Sequence, residues 1–289
     1  MEMLELLMRI LVYGATLSGI YSLIAAGFTL IFGVSRIMNF SHGAFFVLGA
    51  YLGIAIINGV GLNPYLSTAI SILMVGLLAA IVYKGIMSPV RTQEVMVIIV
   101  TLAFALILEQ LILLIFGEHG ISYPSMVKGV ISIGGVPIPS MRLFVLAIAL
   151  TALILLWILI GKTRLGREIT AASQDVEAAT LLGLDVDKLF LTTVFISSIL
   201  AALGGALYAQ VYAANPFLVL KSLIFAFAIV ILGGLGSVKG SVISSFIVGY
   251  ILTAVIVLYG ARWSELTALL IIIAILILKP TGLFGVKEL

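Results

Sequence analysis

VMVIIVTLAFALILEQLILLIF, residues 95–116, is apolar for 22 residues except at Thr101, Glu109 and Gln110. The run neither alternates as a barrel strand would nor carries turn residues, so it reads as a helix. At 1.5 Å per residue it is about 33 Å long, enough to cross a hydrocarbon layer of ~30 Å. A helix also satisfies its own backbone there, where no water can. Working outward, the same reading gives candidate spans at roughly 10–34, 43–60, 64–86, 95–116, 142–161, 192–214, 222–236, 240–259 and 264–279. The fold class is an all-α integral membrane bundle of about eight to ten helices, with nine the best count, read as one transmembrane domain over 1–289. Composition agrees: 63% of the 289 residues are hydrophobic and 9% charged, against roughly a quarter charged in soluble domains.

The stretch 222–259 is too long for one crossing. Gly233-Gly234-Leu235-Gly236-Ser237-Val238-Lys239-Gly240 breaks it, because clustered glycine is costly inside a helix and Lys239 needs an aqueous edge. A comparable pattern, apolar helix, Gly-containing break with one basic residue, second helix ending in Gly and Tyr, spans 28–51 and again 227–250. Paired breaks of this kind can mark a transporter's substrate path, or can be coincidence in a Gly-rich chain. The small residues Ala201, Ala202, Gly204, Gly205 and Ala206 suit close helix packing.

Charge is concentrated elsewhere. Nine of the 27 charged side chains (15 basic, 12 acidic) lie between Lys162 and Lys188, including every Asp. Placing the loops 84–94 and 162–191 inside the cell, and alternating from there, puts ten of the 15 Lys and Arg inside: Arg36, Lys84, Arg91, Lys162, Arg164, Arg167, Lys188, Lys239, Lys279 and Lys287. Arg9, Lys128, Arg142, Lys221 and Arg262 fall outside, with the N-terminus out and the C-terminus cytoplasmic. The loop 117–141 then faces the exterior, and the period-2 pattern of 131–138 around Gly134-Gly135 predicts a small hairpin or lid. The N-terminal residues Met1 to Glu5 lack a basic n-region and no small-x-small site ends a short h-region, so the first helix is expected to be a retained anchor.

Several chemistries are excluded. With no Cys there is no disulfide, iron–sulfur or thiolate zinc site, and His42 and His119 alone argue against a His-based metal site. A net charge of +3, scattered over loops, does not point to nucleic acid. A P-loop needs Lys after its last Gly, whereas here Lys239 precedes Gly240, so energy must come from another subunit or an ion gradient. Ser41 and His42 are adjacent, hence about 100° apart on a helix, and no Asp accompanies them, which argues against a protease. Asn39 or Ser41 can cap the second helix, and capping is compatible with lining a gate. Glu109, roughly 10 Å from its helix end, costs about 2–3 kcal/mol in lipid unless it faces protein or water. Lining a cavity, pairing with a cation and protonation in a helix interface all remain open for it.

Within the charged island, 167–182 predicts a short surface helix with Ile169, Ala172, Val176 and Ala179 on one side and Arg167, Thr170, Gln174 and Glu177 towards the other. Gly183 supplies a left-handed stop. Small alanines with a definite stop suit insertion into a groove on a soluble protein, and suit lipid poorly. Glu177-Ala178-Ala179-x-x-x-Gly183 resembles the E-A-A-x-x-x-G core of the loop by which permease subunits of ABC importers dock on their ATPases. The usual I-x-L-P tail does not follow at 193–196, a departure that is similar to the branched-chain amino acid permeases. Gly27-Phe28-Thr29-Leu30-Ile31-Phe32-Gly33, then Asn39-Phe40-Ser41-His42-Gly43 and Leu48-Gly49-Ala50-Tyr51, resembles that family's N-terminal signature. Ile231-Leu232-Gly233-Gly234-Leu235-Gly236-Ser237 and Pro280-Thr281-Gly282-Leu283-Phe284-Gly285 resemble its late Gly-rich segment and tail.

The resemblance runs the whole length, in order. It implies a non-enzymatic permease subunit of an importer for branched-chain amino acids, in the inner or plasma membrane of a prokaryote. The partners implied are a second permease subunit, two ABC ATPases that carry the ATP and Mg, and an external amino-acid-binding protein, with no cofactor on this chain. The ATPase-coupling residues would be Arg167, Glu168, Ala171, Ala172, Asp175, Glu177, Ala178, Ala179 and Gly183. The translocation path would take Asn39, Ser41, His42, Gly43, Thr101, Glu109, Gly233, Gly234 and Gly236. The alternatives are a urea or short-amide ABC permease, and a secondary transporter or channel working without ATPase.

Overall fold

In a computed structural model of the chain, residues 2–36, 38–279 and 281–284 are described. Pro280, Gly285 and Lys287, which the sequence reading used, lie outside them, as does Met1. Eleven α-helices follow one another: α1 (Glu2–Ser35), α2 (Ser41–Val60), α3 (Pro64–Val82), α4 (Glu94–Phe116), α5 (Ser140–Lys162), α6 (Arg164–Gln174), α7 (Val176–Leu181), α8 (Val186–Val211), α9 (Leu218–Gly233), α10 (Val238–Tyr259) and α11 (Ser264–Leu278). A π-helical turn, Tyr83–Met87, and a 3-10 turn, Ser88–Val90, prolong α3.

Each of the nine expected runs is helical. Among the described residues, eight helical segments are long and apolar enough to cross a membrane, and α9, at 16 residues, is shorter. Its shortness has local causes. Asn215 and Pro216 precede it, and Gly234 and Gly236, at φ 97° and 84°, turn the chain at its end. The expected break between α9 and α10 therefore stands where the glycines are. Ser237 then starts α10, its hydroxyl accepting from Gly240 N–H at 3.1 Å.

The core is built on α1, which packs on α5, α8, α9 and α10, while α2 packs on α3, α4, α8 and α9. Small residues allow the closest approaches. Gly49 faces the Ala202 backbone, Gly205 the Phe46 carbonyl and Gly249 Ser18, and a Cβ at any of the three would collide. Gly205 and Ala202 thus do the packing work their composition predicts.

Two connections are informative. Ile24, whose carbonyl holds His42, lies 11 residues before the end of α1, about 16 Å along it. The chain therefore turns at Arg36, with its positive φ of 55°, and climbs back before α2 begins inside the bundle. On the opposite side, β1 (Val130–Ile133) and β2 (Val136–Pro139) form the expected hairpin. Gly134 and Gly135 at φ 60° and 82° make its primed turn. Val136 and Ile138 are buried and β2 touches α1, so the hairpin is pinned to the bundle.

Candidate functional site

The charged loop forms two helices, not the single one expected over 167–182. Asp175 leaves helical geometry (φ −152°, ψ 110°), and its carboxylate accepts from Ala178 N–H at 2.9 Å, so it ends α6 and starts α7. An Asp that can cap competes with helix continuation, and here the cap wins. Thr163 caps α6 in the same way, accepting from Gly166 N–H at 3.0 Å. Gly166 sits hard against the Leu159 and Ile160 carbonyls, which seats α6 under the end of α5.

Ile169, Ala172 and Ala179 share one side, as the periodicity predicts, but that side is buried against the chain itself. This corrects the expectation that Ala172 and Ala179 reach into a partner's groove. Val176 is exposed because the break at Asp175 re-aims its helix. Ala172 and Ala179 therefore anchor the loop. Arg167, Asp175, Glu177, Ala178 and Gly183 face outward, and Glu168 and Ala171 are half-buried. Glu168 pairs with Arg164 at 2.8 Å. Gly183, at φ 82°, is the predicted stop: its N–H reaches Thr180 O at 2.9 Å and Leu184 N–H reaches Ala179 O at 3.1 Å. That turn carries two residues the periodicity did not single out. Leu181 and Leu182 are 88% and 80% exposed at the tip of the loop.

Behind α7 lies a cleft of about 530 Å³, walled by Tyr83, Met87, Arg91, Val97, Val176 and Phe190 among others. Arg91 ties its two sides together, through an ion pair with Asp187 and with its guanidinium 5.7 Å from the Phe190 ring centroid. Sequence reading used Arg91 only for orientation. Its one available signal was that both partners sit in loops placed on the same side.

The expected path residues fall in three places. Asn39, Ser41, His42, Gly43 and Thr101 come together where α2 begins. Phe40 is the N-cap residue of α2 and no side chain caps it, which corrects the expectation for Asn39 or Ser41. Asn39 Oδ1 instead accepts from Ser41 N–H at 3.0 Å, an Asx turn leading into the helix. Phe40 N–H donates to Thr101 Oγ1 at 3.2 Å, and Ser41 Oγ donates to Thr101 O at 3.1 Å. His42 Nε2 lies 2.9 Å from Ile24 O, which requires the proton on Nε2 and leaves Nδ1 without a partner among the described residues. Gly43 abuts the Val219 carbonyl and takes a bond from Ser222 Oγ at 3.4 Å. Asn39, Ser41, His42 and Thr101 are all buried, so this is a closely packed cluster.

Glu109 shares one face of α4 with Val97, Thr101 and Ala105. It stands eight residues beyond Thr101, about 12 Å. It is buried, and its Oε2 has no hydrogen-bond partner among the described residues. Gly233, Gly234 and Gly236 lie elsewhere, at the end of α1 beside Gly33, Gly240 and Gly282. There Leu283 N–H bonds Leu232 O at 2.7 Å and Phe284 N–H bonds Gly233 O at 3.1 Å. Leu283 and Phe284 thus cap α9, joining the described part of the tail motif to the late Gly-rich motif read separately in the sequence.

The family model described as "Branched-chain amino acid transport system / permease component" matches residues 10–278. The chain is 26% identical to the high-affinity branched-chain amino acid transport system permease protein LivH of Escherichia coli (strain K12), over 95% of this chain and 94% of that one. It is 26% identical to the corresponding protein BraD of Pseudomonas aeruginosa, over 96% and 95%. A probable LivH of Methanocaldococcus jannaschii is 27% identical over 93% and 90%. In fold, the chain is similar to a chain of PsaBC from Streptococcus pneumoniae, solved in complex with Fab, at a TM-score of 0.57 and 13% identity, covering 96% of this chain and 94% of that one.

Proposed function

The chain belongs to the family of branched-chain amino acid transport permease components, and from that premise we propose that it carries branched-chain amino acids inward, driven by ATPases docked on α6 and α7. The observation that carries the coupling half is the loop tip. Two leucines stand almost fully exposed beside a left-handed turn, in a segment that also exposes Asp175, Glu177 and Asp185. Bare apolar side chains with a charged surround have the makeup of an interface centre and its rim. The chain has no P-loop sequence, so hydrolysis falls to the partner.

Transmission follows from the packing. α6 is seated against the end of α5 and touches α1, α7 leads into α8, and Arg91 links the start of α8 to the segment before α4. A pull on the tip therefore reaches α1, α4 and α8 together. Between them lies the constriction of Asn39, Ser41, His42 and Thr101, whose bonds run from the start of α2 to α4 and α1. Opening it separates α4 from α2, and Glu109 borders the space so created. A zwitterion with an aliphatic side chain suits such a path, since apolar and hydroxyl-bearing walls ask for few charges. The relatives named for branched-chain transport support the substrate class, and an external binding protein would supply recognition.

The side of the membrane follows from charge. The charged loop, Arg91, Lys239 and Lys279 share one side, which is the cytoplasmic one by the excess of Lys and Arg, and the hairpin with Arg142 and Arg262 faces outward. The deciding experiment is uptake by the reconstituted transporter. Radiolabelled leucine should enter with ATP and labelled urea should not. Leu181→Asp should abolish ATPase co-purification and leucine uptake while the permease still reaches the membrane. Unchanged uptake in that variant would reject the docking assignment, and urea uptake would reject the substrate.

A further inference from the structure

α5 and α10 both pack on α1 and leave between them a groove of about 400 Å³. Its walls are aliphatic, with Leu153, Ile154, Val242 and Ile243 prominent, and it ends at Trp157 and Lys239. Lys162 belongs to the same rim, its ammonium 5.8 Å from the Trp157 ring centroid. Neither α5 nor α10 contains an acidic residue, and neither lysine makes an ion pair among the described residues. The other flank of α5 provides the contrast. A groove of about 340 Å³ runs there along Phe144, Ile148, Leu155 and Leu203 and carries no charge.

We propose that the α5–α10 groove binds an anionic phospholipid from the leaflet on the charged-loop side, with an acyl chain along Leu153, Ile154 and Val242 and the phosphate at Lys239 and Lys162. The chemistry is complementary at both ends. Hydrocarbon meets the aliphatic walls, and two cations without acids wait at headgroup depth, where a tryptophan also prefers to lie. Long lysine stems reach from the hydrocarbon edge to that depth. Because α1 is the floor both walls rest on, a lipid held here would brace α5, the helix from which the charged loop hangs.

Trp157 and Trp263 are the only tryptophans, so the full chain carrying Trp263→Phe reports on this groove alone. We would titrate it in mixed vesicles with brominated phosphatidylglycerol or brominated phosphatidylcholine and read Trp157 quenching. The glycerol lipid should be favoured about fivefold or more at the groove. The preference should vanish in Lys162→Gln/Lys239→Gln and persist in Lys162→Arg/Lys239→Arg, which also shows that the fold tolerates change there. Equal quenching by both lipids, or a preference that the Gln variant keeps, would overturn the proposal. Absence of quenching by either lipid would show protein covering the groove and would overturn it as well.

Discussion

Single residues carry most of the closest constraints in this bundle. Gly49 and Gly59 lie on the same helix, α2, yet differ completely in surroundings. A Cβ at Gly49 would strike the Ala202 backbone, whereas nothing lies within 4 Å of one at Gly59. Gly49→Ala should therefore cost about 1–3 kcal/mol, because backbone cannot yield as a side chain can. Gly59→Ala should gain up to about 1 kcal/mol from helix propensity. Thermal unfolding of the two purified variants checks both signs. The glycines at 233, 234 and 236 differ again, since their role is a turn and a tight contact with Gly240, legible from clustering alone. Arg91 is the opposite case. Nothing adjacent to it in sequence announces Asp187 or Phe190, 96 and 99 positions away, because that meeting depends on how α3 and α8 are placed.

At the scale of elements, the charged loop shows how local chemistry and packing divide the work. Its amphipathic spacing put Ile169, Ala172 and Ala179 on one side and Gly183 at the stop, while packing decided that this side is buried within the chain. The division into α6 and α7 turned on Asp175, whose capping bond to Ala178 is a local competitor of the continuous helix. Gly183 should tolerate little. Its surroundings are open, but φ 82° strains a branched side chain by roughly 1–2 kcal/mol. Gly183→Val should release the turn, raise amide exchange at 179–184 and reduce ATPase co-purification. Gly183→Asn, which accepts that geometry more readily, should retain most of it. The start of α2 teaches a related lesson. Asn39 and Ser41 read as capping residues, but no side chain caps that helix, and the depth at which it starts is set by His42 reaching Ile24 and Gly43 fitting against Val219.

For the whole molecule, two sides are defined by what they carry. The loop tip, Arg91 and the tail docked on α9 share one, while the hairpin, Arg142 and the Lys221–Glu265 ion pair at 2.6 Å share the other. The chain has no cysteine, so introduced ones label against no background. With an impermeant maleimide on intact cells, Val130→Cys in the hairpin should react at once. Leu182→Cys should react only after permeabilisation. The reverse pattern would invert the orientation and place the proposed docking surface on the wrong side for ATP.

Sequence alone determined the membrane-spanning helices, the break at the clustered glycines, the hairpin and the isolation of the charged loop. Each follows from the hydrophobicity or backbone freedom of one contiguous stretch, which no distant contact is needed to express. Tertiary structure alone decided that α2 starts inside the bundle and that the expected path residues separate into a packed cluster at its start, Glu109 further along α4, and a glycine-rich turn covered by Leu283 and Phe284. It also decided that Leu181 and Leu182, apolar residues in an apolar chain, stand bare at the tip. Those outcomes depend on which helices lie against α1, and a side chain's burial is a property of its neighbours in space.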